Sequence, residues 1–489
     1  MASNTAATTA PTADWHRGLA DPAPEADGLL DEVEGRLPAA LRGTLYRNGP
    51  GRFEVGGNPL AHLFDGDGML AMFALSDGRV RVRTRFVRTR HYVGELDARR
   101  PRYRRFGTQR PGGLLANAFR IPANTANTNV VLHAGRLLAM WEGGKPYELD
   151  PDSLATLGEH DFDGALRWLG TFSAHPHLDP RTGELFGFGL QVLPWPAIDC
   201  FRVDRAGRLH RIRQVRLPRL FANHDFGLTD RYLVFAVDPL EVRRWPFVVG
   251  ARSMAESVRY RPELGTRFIL VPRDGGPPRT VEHDALLHFH VTNAFDDDGD
   301  VVLELIDFDG FEIWRNLFRY RTSDLLVGTT LKRIRITPSD RVLVEDLCDW
   351  QVEFPRVDPR RAGRRHRFTY CAGRPGGAPS GQPTAVVKVD HELGANSIFD
   401  LGDGHLVGEP VFVPSSPSGR EDDGWLLAVA YDAVAHRSSL LVLDAYDLDD
   451  GPVATVELPF AVSPGFHGSF TRGSRDPTRV SRSSSRARR

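Results

Sequence analysis

The sequence predicts an all-β protein, and a propeller is the favoured architecture. Short alternating or apolar runs separated by turn pairs recur from about residue 41, as in LFDGDGMLAMFALSDGRVRVRTRF and DDDGDVVLELIDF. Long helical periodicity is scarce, and its best candidate is VGARSMAESVRY. A long series of hairpins suits a propeller, because radial blades leave only short, protected edges. No clean sequence repeat accompanies the pattern, so a multi-domain sandwich protein stays open as the alternative.

Composition and charge are those of a globular protein rather than of a nucleic-acid binder. Of 489 residues, 41% are apolar and 26% are charged, and the formal net charge at pH 7 is -1. Binding to nucleic acid depends strongly on positive charge. We therefore expect no nucleic-acid partner, and no feature of the sequence requires an obligate protein partner.

Cysteine usage and the N-terminal sequence predict a soluble, cytoplasmic protein. Cys200, Cys348 and Cys371 are far apart and odd in number, which is typical neither of a disulfide framework nor of a CxxC metal site. The first 13 residues, MASNTAATTAPTA, lack the basic start and apolar core of a signal peptide. No run approaches the roughly 18 apolar residues of a membrane span.

Both ends of the chain are predicted to be flexible. We expect residues 1–30 to form a flexible N-terminal segment and residues 471–489 to form a basic, disordered tail. The tail TRGSRDPTRVSRSSSRARR is low in complexity and offers no apolar cluster to bury. Residues 31–470 would then be the folded body. Weak association of the basic tail with anionic lipid is an open alternative, in which the protein would be peripheral to the membrane.

Four histidines lie in sharp local signatures that are far apart in the sequence. The signatures are FSAHPHLDP, FANHDFGLTDRYLVF, HFHVTNAF and SPGFHGSF, and their histidines are separated by 49, 66 and 177 residues. This spacing is unlike that of zinc fingers or HExxH sites. If about 430 residues made seven blades of roughly 60 each, the separations would equal about one, one and three blades. Four imidazoles could then converge on the axis, where neutral imidazole binds divalent transition metals.

With these motifs in place, the chain resembles the carotenoid cleavage oxygenases over roughly residues 36–470. The resemblance includes LRGTLYRNGPGRFEVGG, HLFDGDGMLAMFAL, TANTNVV, LLAMWEGGKPYELDP, EFPRVD, GEPVFVP and EDDGWLLAVAYD, in addition to the four histidine motifs. It implies a seven-bladed propeller with a cap of loops and short helices over one axial ferrous ion. The implied iron ligands are His175, His224, His290 and His467.

The resemblance also separates the ligands from neighbouring histidines. The family's ligand stands three residues before the asparagine of HxxN, which selects His290 over His288. In AHPH the family pattern selects His175 over His177. His288 and His177 are left without an assigned role.

Three glutamates are implied as partners of the ligands. A ligating imidazole usually donates its second ring N–H to a carboxylate or carbonyl, which fixes the tautomer and aims the ring. By resemblance these partners are Glu142 in MWEGGKP, Glu353 in EFPRVD and Glu409 in GEPVFVP.

The activity implied by the family is oxidative scission of one C=C bond by dioxygen, giving two carbonyl products. An apolar polyene, a carotenoid or apocarotenoid, is the expected substrate, held mainly by burial in an apolar tunnel. Thr128, Trp141 and Phe289 are the candidate substrate-contacting or oxygen-contacting residues, and the alternative for Trp141 and Phe289 is that strand alternation turns them into the core. PLEVRRWPFVVGARSM is predicted to form either a lipid-facing lip of the tunnel or a buried cap.

Three other activities remain as alternatives. Stilbenoid-cleaving relatives are expected to carry a lysine just before the residue matching Glu142, whereas this sequence has Trp141, so a polyene is favoured over a stilbenoid. A non-catalytic propeller scaffold would have no need for converging metal ligands. An isomerohydrolase would release an alcohol instead of paired carbonyls.

Overall fold

The fold is a seven-bladed β-propeller, as predicted. The computed structural model describes residues 15–21, 23–324, 326–376, 381–462 and 465–473. Within these residues, seven antiparallel sheets contain four strands or more each, and two further sheets are short two-stranded hairpins. We number the seven large sheets as blades 1 to 7 in the chain order of their innermost strands.

Blades 1 to 5 are four-stranded meanders whose strands follow one another from the axis outward. Blade 1 consists of Asn129–His133, Arg136–Met140, Tyr147–Leu149 and Thr156–Glu159. Blade 2 consists of His177–Leu178, Leu185–Gln191, Ala197–Val203 and Leu209–Arg216. Blade 3 consists of Gly227–Leu228, Tyr232–Val237, Thr266–Pro272 and Arg279–His283. Blade 4 consists of His288–Asp297, Asp300–Phe308, Thr329–Ile336 and Val342–Asp346. Blade 5 consists of Gln351–Arg356, Phe368–Arg374, Ala385–Asp390 and Ala395–Asp400.

Blades 6 and 7 combine strands from both ends of the chain, which closes the ring. Blade 6 contains His405–Val407, Val411–Pro414, Gly424–Asp432, Arg437–Asp444 and Pro452–Glu457, with Val33–Gly35 as its outer strand. Blade 7 contains His467–Thr471, Gly43–Arg52, Asp67–Ser76, Arg79–Phe86 and Asp27–Leu30. Asn48 pairs with His467, so a strand near the C-terminus is the innermost strand of a blade that begins near the N-terminus.

The structure shortens the flexible N-terminal segment predicted for residues 1–30. Asp27–Leu30 is the outer strand of blade 7 and pairs with Arg79–Phe86. The Asp27 carboxylate also accepts hydrogen bonds from Arg81 Nε at 2.7 Å and Arg83 Nη2 at 2.6 Å. Residues 1–14, and residues 474–489 of the predicted tail, lie outside the described residues.

Within the described part of the chain, seven buried clusters fill the spaces between adjacent blades. In the strand Tyr232–Val237, Leu233 and Phe235 pack toward blade 2, while Val234 and Ala236 pack toward blade 4. Successive side chains of a strand point to opposite faces. Because both faces of a blade are covered by neighbours, its central strands are apolar in consecutive positions.

A small truncation in one of these clusters should lower stability measurably. Ile306 is fully buried between blades 4 and 5. We expect Ile306→Val to reduce the free energy of unfolding by about 0.5 to 1.5 kcal/mol, because it removes one buried methyl group. Chemical denaturation measures this change. The matched control is Val344→Ala on the outer strand of blade 4, where the side chain is 38% exposed, and an equal loss there would contradict the assignment.

Short helices and loops of the cap share one buried cluster, which includes Leu63, Val242, Ala255 and Ile313. Other short helices, such as Pro359–Arg361 and Leu448–Asp450, lie outside that cluster. The α-helices span Arg17–Ala20, Arg90–Ala98, Gly113–Asn117, Arg244–Val248 and Glu312–Phe318. The 3-10 helices span Leu63–Asp65, Ala255–Ser257, Pro262–Leu264, Pro359–Arg361 and Leu448–Asp450, and the two hairpins pair Glu54–Val55 with Asn58–Pro59 and Leu240–Val242 with Val258–Tyr260. No helix within the described ranges combines the length and apolar character that crossing a bilayer requires.

The helix indicated by VGARSMAESVRY is largely absent. Only Ala255–Ser257 forms a 3-10 turn, and the residues after it form the strand Val258–Tyr260. Val242 pairs with Val258, so backbone pairing to a neighbouring strand overrides the local periodicity there.

Candidate metal centre

The four predicted histidines converge at one end of the inner strands. His467 begins the inner strand of blade 7, and His290 lies in the inner strand of blade 4. His175 and His224 lie in the loops that lead into the inner strands of blades 2 and 3. Each ring lies 4.3 to 5.2 Å, centroid to centroid, from at least two of the others. One nitrogen of each lies within 4.8 Å of the corresponding atoms of the others, so the cluster could hold a metal ion.

Each of the three predicted glutamates contacts one of these imidazoles at Nδ1. Glu353 Oε2 is 2.5 Å from His290 Nδ1, and Glu409 Oε1 is 2.9 Å from His467 Nδ1. Glu142 Oε1 contacts His224 Nδ1. A carboxylate at Nδ1 keeps the proton on that nitrogen and leaves a lone pair on Nε2.

The electrostatics of His467 and His175 favour neutral nitrogen donors, whereas those of His290 do not. Burial lowers the pKa of His467 to about 4, and burial together with the neighbouring imidazoles holds the pKa of His175 well below its ordinary value. For His290, burial lowers the pKa, but the charge of Glu353 more than offsets it, so its pKa lies above the ordinary value. In the described part of the chain, Nε2 of His175 and Nε2 of His290 are buried without a hydrogen-bond partner. Metal coordination would satisfy such atoms.

Glu409 is more tightly held than the other two glutamates. Arg47 Nη1 donates to Glu409 Oε2 at 2.5 Å, and the backbone N–H of Gly468 donates to the same oxygen at 2.8 Å. Arg356 Nε is 3.5 Å from Oε1. Burial would raise the pKa of Glu409, but these arginines and His467 hold it well below its ordinary value.

The two histidines without an assigned role each contact a buried aspartate. His288 Nδ1 is 2.6 Å from Asp238 Oδ2. His177 Nε2 is 3.1 Å from Asp225 Oδ1. Among the described residues, neither His288 nor His177 belongs to a group that could hold a metal.

An apolar cavity of about 950 Å³, which includes space open to solvent, borders the histidine cluster. Its wall includes His224, His290 and His467, as well as the predicted residues Thr128 and Phe289. The Phe289 ring centroid is 6.1 Å from that of His224. Two of the three candidate substrate-contacting residues therefore lie beside the cluster.

Trp141 does not line this cavity, contrary to expectation. Its side chain is only 5% exposed, and a Cβ added at Gly143 would collide with the indole ring. The strand Arg136–Met140 ends just before Trp141, and Glu142 in the turn that follows faces the cavity, whereas the indole lies against Gly143. Trp141 therefore packs into the protein.

Most residues of the cavity wall are not among the site residues predicted from the sequence. Phe354 and Phe466 line the cavity beside Glu353 and His467, and Phe64 comes from the cap turn Leu63–Asp65. The aromatic residues adjacent to site residues in EFPRVD and GFHGSF were visible in the sequence. The cap residues Ile313 and Leu317 lie in a separate helix and carried no such signal.

Fold and site together define a propeller protein with an axial four-histidine cluster that could hold one metal ion beside an apolar cavity. Residues 20–472 match the family model described as retinal pigment epithelial membrane protein, RPE65. The chain belongs to this family of RPE65 and the carotenoid oxygenases.

Several relatives are similar over nearly their whole length. Apocarotenoid-15,15'-oxygenase of Synechocystis sp. is 36% identical, and the match covers 94% of this chain and 96% of that protein. Lignostilbene-alpha,beta-dioxygenase isozyme III of Sphingomonas paucimobilis is 30% identical, with 93% and 96% covered. The solved structure of cobalt-substituted Synechocystis apocarotenoid oxygenase superposes with a TM-score of 0.87 at 35% identity, covering 94% of this chain and 98% of that one.

Proposed function

We propose that this chain is a non-haem iron(II) dioxygenase that cleaves one C=C bond of a carotenoid or apocarotenoid into two carbonyl products. The observation that carries the proposal is the convergence of four imidazoles, within 4.8 Å by their donor atoms, on the wall of a large apolar cavity. Such a centre places a redox metal beside a space suited to an apolar substrate.

The donor set fits one ferrous ion per chain. His175, His224, His290 and His467 would hold it, and Glu142, Glu353 and Glu409 would orient three of those rings through Nδ1. These four neutral imidazoles would hold the ion, and ferrous iron bound there would supply the chemistry of dioxygen. A solved structure of similar fold is a cobalt-substituted oxygenase, which supports a metal-dependent protein.

The cavity wall binds and orients the substrate. Phe64, Phe289, Phe354 and Phe466 present aromatic surface, and Leu317, Leu406 and Val407 present aliphatic surface. A polyene has few polar groups, so its position is set mainly by buried area and ring contacts. Filling the cavity also excludes water from the reacting bond.

A polyene is favoured over a hydroxystilbene because the cavity offers few polar partners. Among the described residues that line it, none is a lysine, arginine or tyrosine, Thr128 supplies a hydroxyl, and the carboxylates of Glu142 and Glu353 already contact imidazoles. A phenol buried without a hydrogen-bond partner loses about 1 to 3 kcal/mol. The lignostilbene-cleaving relative keeps stilbenoid cleavage as the second candidate.

A product assay tests the substrate class. Purified, iron-loaded protein is incubated in air with an apocarotenal and, separately, with a hydroxystilbene, and the products are identified by mass spectrometry. We expect two carbonyl products from the apocarotenal and little turnover of the stilbene. Turnover of the stilbene alone would contradict the polyene assignment. Absence of both iron and product would favour the scaffold, and a single alcohol would favour the isomerohydrolase.

We also propose a cytoplasmic location, with lipid contact near the cap as an open alternative. Cys200, Cys348 and Cys371 are free thiols, as suits a reducing compartment. In the predicted lip, Trp245 is 58% exposed, whereas Phe247 and Val248 are buried. This segment thus combines an exposed aromatic tip with residues that pack in the cap.

A further inference from the structure

Two of the four histidines lie in loops that the sheets hold only weakly. The inner strands that follow His175 and His224 are His177–Leu178 and Gly227–Leu228, each two residues long. The inner strands that contain His290 and His467 have ten and five residues. A two-residue strand makes few ladder hydrogen bonds, so other interactions must fix the first two loops.

The carboxylate of Asp225 connects these loops to each other and to blade 4. Its Oδ1 accepts from the backbone N–H of Phe226 at 2.8 Å and lies 3.1 Å from His177 Nε2 of blade 2. Its Oδ2 accepts from the backbone N–H of Val291 at 2.9 Å. Asp225 is only 2% exposed. One buried carboxylate therefore contacts blades 2, 3 and 4, each time within two residues of a histidine of the cluster.

Asp225 is also the charged group that faces the remaining imidazole. His175 is the one histidine of the four that no described glutamate contacts, and Asp225 Oδ2 lies 4.0 Å from its Nδ1. This distance is too long for a hydrogen bond. A negative charge at 4.0 Å nevertheless favours a proton on Nδ1 and a lone pair on Nε2. His175 Nε2 is buried without a hydrogen-bond partner among the described residues.

We propose that Asp225, held in place by His177, is a positioning residue for the metal centre. It aligns the loops carrying His175 and His224 with the strand carrying His290, and its charge sets the tautomer of His175. This inference rests on the proposed metal centre. It also assigns a role to His177, the second histidine of AHPH.

The experiment measures cobalt binding in place of catalysis. Metal-free protein is titrated with Co²⁺ in the absence of oxygen, against a competing chelator, and the ligand-field absorption of the bound ion is recorded. Asp225→Asn keeps the size of the side chain but removes its charge. We expect it to weaken Co²⁺ binding by about 10 to 100-fold and to shift the ligand-field bands.

Asp238→Asn is the matched control for loss of a buried carboxylate. Asp238 is 2% exposed and accepts from the backbone N–H of His288 at 2.6 Å while contacting His288 Nδ1 at 2.6 Å. Its contacts do not include any of the four clustered imidazoles within the described structure. We expect this variant to melt at a lower temperature yet to retain the wild-type Co²⁺ affinity and spectrum.

A second pair of variants tests the proposal if Asp225→Asn fails to fold. His177 is 25% exposed, so His177→Gln removes its contact with Asp225 from a partly exposed position. His210→Gln is its control, because His210 Nε2 is also 3.1 Å from an aspartate, Asp204, at the outer edge of blade 2. We expect His177→Gln to weaken Co²⁺ binding and shift the bands, and His210→Gln to change neither.

The outcomes separate this inference from the proposed function. Wild-type Co²⁺ binding that neither Asp225→Asn nor His177→Gln alters would overturn the positioning role and leave the metal centre intact. Equal losses in Asp225→Asn and Asp238→Asn would show general destabilisation and would overturn it as well. Failure of the wild type to bind Co²⁺ would remove the metal centre, and this inference with it.

Discussion

Replacing His290 by glutamine is expected to abolish oxygenase activity and to weaken iron binding by at least about 100-fold. Loss of a residue that supports a ligand weakens metal binding by about 10 to 100-fold, and loss of the ligand itself should weaken it by no less. His290 lies in the inner strand of blade 4, and its Nε2 is buried without a hydrogen-bond partner in the described structure. Removing the imidazole removes one of four donors and also leaves Glu353 without its imidazole partner. Iron content after anaerobic loading, followed by product analysis, measures both effects.

His288→Gln provides a control from the same strand. His288 is buried two residues away, but its Nδ1 contacts Asp238 instead of the cluster, and a glutamine amide can still donate to that carboxylate. We expect near-normal iron content for this variant. Full iron content and activity in His290→Gln, or equal losses in both variants, would contradict the assignment of His290 as a ligand.

Replacing Glu353 by glutamine should weaken iron binding or activity by about 10 to 100-fold. Glu353 Oε2 lies 2.5 Å from His290 Nδ1 and also accepts the backbone N–H of Phe354. Glutamine keeps the shape but removes the charge that makes the imidazole a stronger donor. Iron affinity measured by chelator competition, alongside kcat, would record the change.

Glu345→Gln is the matched control for the loss of a glutamate charge. Glu345 lies on the outer strand of blade 4, and its side chain is 67% exposed. Exposed ion pairs contribute little, so we expect no change in iron affinity. Unaltered iron binding in Glu353→Gln would remove Glu353 from the proposed set of orienting residues.

Much of the fold could be predicted from local pattern. Recurring turn pairs between short alternating or apolar runs predict an all-β protein and favour a propeller over a multi-domain sandwich, and the seven large sheets of the described chain confirm the propeller. The strand pairing that closes the ring could not be predicted from local pattern. Asn48 pairs with His467, a contact between strands near the two ends of the chain that no local pattern can indicate.

The residues of the cavity wall, like the fold, could be predicted only in part from the sequence. Phe289 and Thr128 stand next to recognisable motifs and do line it, but so does Ile313, whose helix carries no motif of the site. Trp141 stands next to Glu142 and yet packs away from the cavity. Adjacency in sequence indicates which strand a residue occupies, whereas the direction of its side chain depends on register and on the neighbouring backbone.

By itself the sequence determined that the protein is all-β and favoured a propeller, because hydrophobic alternation and turn residues are local properties of a chain. The choice of His175, His224, His290 and His467 among the histidines came from the resemblance of their motifs to the family. Only the tertiary structure decided which carboxylate meets which imidazole, that Asp225 connects three blades, and which side chains enclose the cavity. Those contacts join residues tens to hundreds of positions apart. They exist only once seven sheets have packed around one axis, where a shift of one residue in register would turn each side chain to the opposite face.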